Sequence, residues 1–501
     1  MADTAPGEAD AMTTVTPRSL PPRQRTAATV APAPVEVLPS RRHWVHAADA
    51  VRTWTRTRPR AALAGRFSLI FTLVAASFGL TQWFGRPINF FDLRIYHGAV
   101  AWWAGGGDLY RYVHPEIGLG FTYPPFAAVV MRPMAGFSVP VAGWLSGIAS
   151  VAAFVFLVAL AVRPMARRYG WRTWYATALI VPPLVATDPI RETLGFGQVN
   201  LLLAALVFAD LVGLRWRARA MALRDRVGGQ AVGFLASGAW AGVGIGLAAS
   251  VKITPGLFIL YLMCSRQWRA VFVAVGTAVG ATFAAWMVAG HESWTYFSSV
   301  LWQTDRVGAA DASPNQSLAG VLARLFDASD SPPLVWFTFA LVVLALGISR
   351  AVTAHRDGDE FTAFVLVGLT ANAVCPISWT HHLVFPVLGI VVLADAAVRR
   401  RTSATALLLP RLAGARLPLR LSARFAGLPY AALALVVYVL YVVSPVWDFG
   451  HLLPLESHYA DGMLGWLAEN SLGLVVLALI VVLPWRPGAM PAFTADRATG
   501  S

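Results

Sequence analysis

Charge is scarce in this chain. Charged residues make up 13% of 501 and hydrophobic residues 57%, where a soluble globular protein carries about 25% charged. That balance excludes an ordinary soluble enzyme, a disordered chain, a coiled coil and a collagen-like fibre, and leaves a polytopic membrane protein. Cysteine is nearly missing. Cys264 and Cys375 both fall in apolar runs, neither with a partner at metal-ligand spacing, so both read as buried thiols rather than a disulfide framework. Lysine is rarer still: Lys252 is the sole lysine among 40 Lys plus Arg. The net charge of +14 does not point to nucleic acid. The basic residues sit in the N-terminal arm and in short loops between apolar runs, where they set membrane orientation. No GxxxxGK[ST] loop, GxGxxG turn, HExxH or GxSxG motif is present, so a nucleotide-driven mechanism has no visible engine. A group donor would then already sit in the membrane.

Residues 1–60 are rich in Ala, Pro, Thr and Arg without apolar period, and read as a disordered, basic cytoplasmic arm. It is too long for a signal peptide and lacks the adjoining cleavage pattern. Apolar runs follow at about 61–84, 139–162, 173–187, 192–214, 232–251, 253–264, 270–289, 334–350, 361–377, 382–397, 427–446 and 471–485. Each span needs roughly 20 apolar residues. The expectation is an all-α bundle of about 12 transmembrane helices over 61–490, with 253–264 short enough to be part of a broken helix and 491–501 a cytoplasmic tail. Segment 122–137 opens Tyr123-Pro124-Pro125 and contains Arg132, and reads as re-entrant or interfacial. With a cytoplasmic N-terminus, loops 163–172, 215–230, 265–269, 350–360 and 398–424 hold 20 Arg, against 8 basic residues on the other side, as the positive-inside rule requires. The long loops 85–138, 290–333 and 447–470 all fall outside, and long loops usually carry function.

Polar clusters emerge on that outer face. Asn89-Phe90-Phe91-Asp92-Leu93-Arg94-Ile95-Tyr96 offers a carboxylate just past the first span, able to take a proton from an acceptor hydroxyl, unless Asp92 is simply a solvated loop residue. Asp108 beside a glycine run reads as a turn. Gly197-Gln198-Val199-Asn200 places two amides at a helix mouth, for sugar hydroxyls or for bonds between helices. Lys252 lies between two apolar runs and either meets a lipid phosphate or snorkels to the headgroups. Ser313-Pro314-Asn315-Gln316-Ser317 is turn-like, with Ser313 or Asn315 as a candidate helix cap. In Ser378-Trp379-Thr380-His381-His382 the histidines suit an anion better than a metal, since no carboxylate or cysteine sits at metal spacing. Trp379 either packs on a sugar or anchors the interface.

Together, Asp92-Leu93-Arg94-Ile95-Tyr96, Tyr123-Pro124-Pro125, Gly197-Gln198-Val199-Asn200, Lys252-Ile253-Thr254-Pro255, Asn315-Gln316-Ser317 and Ser378-Trp379-Thr380-His381-His382 resemble glycosyltransferase family 87 over roughly 60–490. That family includes actinobacterial polyprenyl-phosphate-mannose-dependent α-1,2-mannosyltransferases that build phosphatidylinositol mannosides, lipomannan and lipoarabinomannan. The resemblance implies a GT-C fold in the plasma membrane with a periplasmic site, both termini cytoplasmic, and an inverting transfer of mannose from a polyprenyl-phosphate donor to a mannosylated glycolipid. Asp92 would be the general base. Lys252, His381 and His382 would hold the donor phosphate. Arg94, Tyr96, Tyr123, Gln198, Asn200, Asn315, Gln316 and Trp379 would meet substrate. No cofactor or metal is required, and membrane lipids are the expected surroundings. The rivals are a transporter or flippase of a lipid-linked glycan, disfavoured by the lack of an internal repeat, and a GT-C enzyme with another donor such as polyprenyl-phosphate arabinose.

Overall fold

Glycine and proline interrupt the apolar runs at particular points, and these interruptions decide where each helix stops. The computed structural model describes residues 59–227, 233–326, 330–408, 425–447 and 462–491. The expected arm and tail therefore lie almost wholly outside the described residues, as does most of loop 447–470. The chain divides into Met1–Arg66 and Phe67–Ser501, and the site lies in the second unit.

In chain order the helices are α1 (Pro59–Phe84), α2 (Phe91–Ala104), α3 (Pro125–Met131), α4 (Val139–Arg168), α5 (Thr173–Val185), α6 (Asp188–Phe196), α7 (Asn200–Val227), α8 (Val243–Val251) and α9 (Leu257–Cys264). Then come α10 (Trp268–Val288), α11 (Gly290–Ser298), α12 (Leu318–Leu325), α13 (Pro333–Arg356), α14 (Glu360–Val374), α15 (Val384–Leu408), α16 (Leu428–Val443), α17 (Gly462–Glu469) and α18 (Ser471–Val482). Among the described residues only isolated bridges occur, such as Asn315 with Trp379. This is an all-helical, multi-pass membrane protein.

Among the described residues five helices are long and apolar enough to cross a bilayer, up to seven if each bent pair is one span. The twelve runs of the sequence do not become twelve long helices, because several are broken. Run 192–214 divides into α6 and α7, which meet at 113°. Gly197 makes the break. It closes α6 at φ 71, and a Cβ there would lie 2.7 Å from Leu93 Cβ, so both backbone and space demand glycine. The described part of run 232–251 is helical only over α8, which ends in extended backbone at Lys252. Run 361–377 unwinds at Cys375-Pro376, past the end of α14. Segment 122–137 forms the short α3 and a 3-10 turn, too short to span.

The core is continuous across α4, α7, α8, α9, α14, α15 and α18, with Phe208, Phe258, Tyr261 and Phe364 at its centre. By contrast α10 and α13 present exposed Phe272, Phe283, Phe337 and Phe339, as a lipid-facing surface should. One expectation fails here. Cys264 is exposed and Cys375 only half-buried, because an apolar run in a membrane bundle need not face the core.

Candidate active site

Three helix breaks and one amphipathic helix meet. α2 carries Asp92 in its first turn and Tyr96 one turn on. Its start is tied to α6 by Phe90 N–H donating to the Gly195 carbonyl at 2.9 Å. The α6–α7 break supplies Gln198 and Asn200, the α8–α9 break supplies Lys252, and the α14–α15 break supplies Trp379, His381 and His382.

The last loop is clamped from two sides. Ser378 N–H donates to Asn315 Oδ1 at 2.9 Å, and Asn315 Nδ2 donates to the Pro376 carbonyl at 3.2 Å. From α6, the Thr193 hydroxyl donates to the His381 carbonyl at 3.0 Å, as does Asn200 Nδ2. The Thr380 hydroxyl donates to Glu192. The two neighbouring histidines are thereby turned to different partners. His382 Nδ1 accepts from Trp379 N–H at 3.1 Å, so neutral His382 carries its proton on Nε2. That Nε2 lies 2.9 Å from Lys252 Nζ, which also donates to Asn200 Oδ1 at 3.2 Å. Two donors thus lie against one another, an arrangement relieved by an acceptor placed beside them that bonds to both. His381 instead faces the carboxylate: its Nε2 is 4.0 Å from Asp92 Oδ2, and both atoms are buried without a hydrogen-bond partner.

Burial pushes the Asp92 carboxyl up to about 6, while hydrogen bonding from Gln198 and the charge of Lys252 pull the other way. Burial, with Lys252 nearby, holds His381 down to about 3 and His382 well below its usual value. Both imidazoles are neutral near pH 7, and Asp92 sits where a general base is effective.

Asp92, Tyr96, Tyr123, Gln198, Lys252, Trp379 and His382 line a cavity of about 400 Å³. A narrow recess of about 60 Å³ adjoins it at Lys252, Cys375 and His382, and continues along Asn200, Leu203, Val207, Phe258 and Phe385. Other expected contacts are not brought to the cavity. Arg94 pairs with Glu116 at the surface. Asn315 and Gln316 are fully buried. Gln316 Nε2 donates to the Ser313 and Glu469 carbonyls at 2.6 Å each, and its Oε1 accepts from Gly473 N–H at 2.7 Å. The helix cap in that segment is Ser317, whose side chain accepts from Gly320 N–H, not Ser313 or Asn315. Among the described residues no three His, Cys, Asp or Glu side chains are grouped to hold a metal ion.

Two site residues give little or no signal in the sequence. Arg306 lines the cavity and donates to the Tyr110 carbonyl at 2.7 Å, but a lone loop arginine gives no signal. Asn372 donates to the His382 carbonyl at 3.2 Å. Its signal was an amide inside an otherwise apolar run.

A carboxylate, a lysine and imidazoles gathered at helix breaks of a membrane bundle, beside an apolar recess, define a membrane-embedded group-transfer enzyme. The comparisons give the family: the model of glycosyltransferase family 87 matches residues 121–378. The chain belongs to glycosyltransferase family 87 and is a glycosyltransferase. It is 31% identical over 362 residues, 68% of this chain and 79% of the relative, to the polyprenol-phosphate-mannose-dependent alpha-(1-2)-phosphatidylinositol mannoside mannosyltransferase of Mycobacterium tuberculosis. It is 30% identical over 325 residues, 63% of this chain and 72% of the relative, to the corresponding phosphatidylinositol pentamannoside mannosyltransferase of Mycolicibacterium smegmatis. Among solved structures, ArnT from Cupriavidus metallidurans bound to undecaprenyl phosphate aligns over 84% of this chain and 78% of that one, with 15% identity and a TM-score of 0.36.

Proposed function

We propose that this enzyme transfers mannose from a polyprenyl-phosphate-mannose donor to a mannosylated phosphatidylinositol or lipoglycan acceptor, inverting the anomeric centre to form an α-1,2 linkage. The donor and the phosphatidylinositol-mannoside acceptor class follow from what the relatives' names state. The reading includes a GT-C bundle of about twelve spans, cytoplasmic termini and a periplasmic cavity, supported by the arginine asymmetry of the loops.

One observation carries the chemistry: Asp92 and the Lys252–His382 donor pair line the same cavity. In the proposed reaction the donor phosphate sits at Lys252 Nζ and His382 Nε2–H, with the first part of its prenyl chain along the apolar recess of Leu203, Val207, Phe258 and Phe385. The Asp92 carboxylate takes the proton of the acceptor 2-hydroxyl. The freed oxygen pair forms the new bond to the anomeric carbon from the face opposite the phosphate. The bond from that carbon to the phosphate oxygen breaks, and polyprenyl phosphate leaves with the electron pair. Fixed donors aimed at the charge growing on the phosphate are a large catalytic contribution. Phosphate is a good leaving group, so the scheme needs no acid and no cofactor.

The test uses full-length enzyme in lipid vesicles, given a mannosylated phosphatidylinositol and labelled polyprenyl-phosphate mannose, polyprenyl-phosphate arabinose or GDP-mannose in separate reactions. Label should enter lipid from the first donor alone and be released by an α-1,2-mannosidase. Transfer from either other donor, or only facilitated movement of label across the bilayer, would overturn the assignment.

A further inference from the structure

Tyr96, Tyr123 and Gln198 form a closed ring of hydrogen bonds. Gln198 Nε2–H donates to Tyr96 Oη at 2.9 Å, the Tyr96 hydroxyl donates to Tyr123 Oη at 3.0 Å, and the Tyr123 hydroxyl donates to Gln198 Oε1 at 3.1 Å. Each member donates once and accepts once. The direction is fixed, because Gln198 Oε1 also accepts from Val199 N–H at 3.3 Å, and the amide nitrogen cannot accept. All three residues are buried, at 5%, 7% and 2% exposure. The rings of Tyr96 and Tyr123 lie 5.0 Å apart, and the Tyr110 hydroxyl holds the Tyr123 carbonyl at 2.8 Å. A loop of this kind, in which every hydrogen bond polarises the next, resists reorientation of any one member.

Both hydroxyls and the amide oxygen are therefore engaged with one another and not aimed at a sugar. One polar hydrogen is left over, the second N–H of Gln198. Asp92 sits one turn before Tyr96 on α2 and lines the same cavity wall.

We propose that the Tyr96–Tyr123–Gln198 ring is a positioning device for Asp92, locking the Gln198 amide so that its remaining N–H is held toward the carboxylate. This rests on Asp92 being the base of the proposed transfer. Without the ring only the long bond from Val199 N–H at 3.3 Å still resists rotation of the amide, and its carbonyl can turn toward the carboxylate in place of its N–H. The other groups facing Asp92 are Lys252 from the α8–α9 break and His381 from the α14–α15 loop, beside the two tyrosines themselves. His381 stays neutral across the range tested and Lys252 stays charged on its acid side, so the acid limb of the rate profile reports Asp92.

The experiment is the pH profile of mannosyl transfer by full-length Tyr123→Phe enzyme in vesicles, alongside wild type and Tyr96→Phe. Thermal melting confirms that each variant is folded. Opening the ring at either hydroxyl should lower kcat about tenfold, leave the donor KM unchanged, and move the acid limb up by about one pH unit. A rate loss with the limb in place, or a profile like wild type, would reduce the ring to packing and overturn the proposal. Should one variant fail to fold, the other gives the same reading. Asp92→Asn is the separate control: if it stays active, the base assignment fails, whatever the tyrosine variants show.

Discussion

Two buried charge clusters sit at opposite ends of α14, and they differ in how their charges are paired and in whether a cavity adjoins them. At the N-terminal end Arg486, Asp359 and Asp395 are fully buried. Arg486 reaches Asp359 at 3.1 Å, Asp395 at 3.4 Å and the Ala161 carbonyl at 3.1 Å. Asp359 also caps α14 at Thr362 N–H, and Gly488 and Met490 bond back to Asp357 and Gly358. None of these residues lines either cavity. About 22 Å away along the 15-residue helix, the other cluster keeps Asp92 Oδ2 and His381 Nε2 without partners and sets Lys252 donor to donor against His382. The first cluster leaves Asp395 Oδ1 without a hydrogen-bond partner, but its charges pair with one another and it lines neither cavity, so it fastens the chain. The second opens toward a cavity. Buried charge alone therefore does not mark a site. Buried charge with an unanswered atom and adjoining space does.

Exchanging functional for structural variants should break this comparison if it is wrong. The largest effect is expected from Asp92→Asn, with kcat down roughly 10²–10⁴-fold, the range of a general base. The same change should raise the melting temperature above pH 6. Burial lifts the folded carboxyl from 3.8 to about 6, so the folded form binds the extra proton. Stability then falls as pH rises through that window and stays lowered above it, a penalty that asparagine removes. Next, Arg486→Met should cost about 3–5 kcal/mol by stranding two buried carboxylates. Transfer per folded molecule should stay within twofold, as chemical unfolding paired with active-site titration will tell. Lys252→Met should lower kcat/KM for the donor about 10²-fold with little change in acceptor KM, and Lys252→Arg should not restore it. The smallest effect belongs to Arg94→Ala. Its exposed pair with Glu116 is worth about 0–1 kcal/mol, and initial rates should stay within threefold of wild type.

Much of the site was legible in the sequence because membrane chains advertise their exceptions. A single lysine between apolar runs, adjacent histidines after Ser-Trp, and Gly-Gln-Val-Asn at a helix mouth are all costly in lipid, and each lies at a helix break. Helix class and the non-spanning nature of 122–137 were legible for the same reason. What was not legible is which polar atoms answer one another. The sequence groups His381 with His382, and only the clamp of Thr193 and Asn200 on the His381 carbonyl turns one ring toward Asp92 and the other toward Lys252. Asn315 and Gln316 look like substrate amides by type, yet they bolt loops to one another. Where a span breaks was not legible either, since an apolar run says nothing of a 113° bend at Gly197.

The most direct measurement is the pH dependence of single-turnover mannosyl transfer in vesicles, for wild type and Asp92→Asn at saturating donor. The account predicts a wild-type rate that climbs with pH through about 6 and then levels, over a low Asp92→Asn rate with no step there. An Asp92→Asn enzyme that keeps the wild-type step and rate would contradict it.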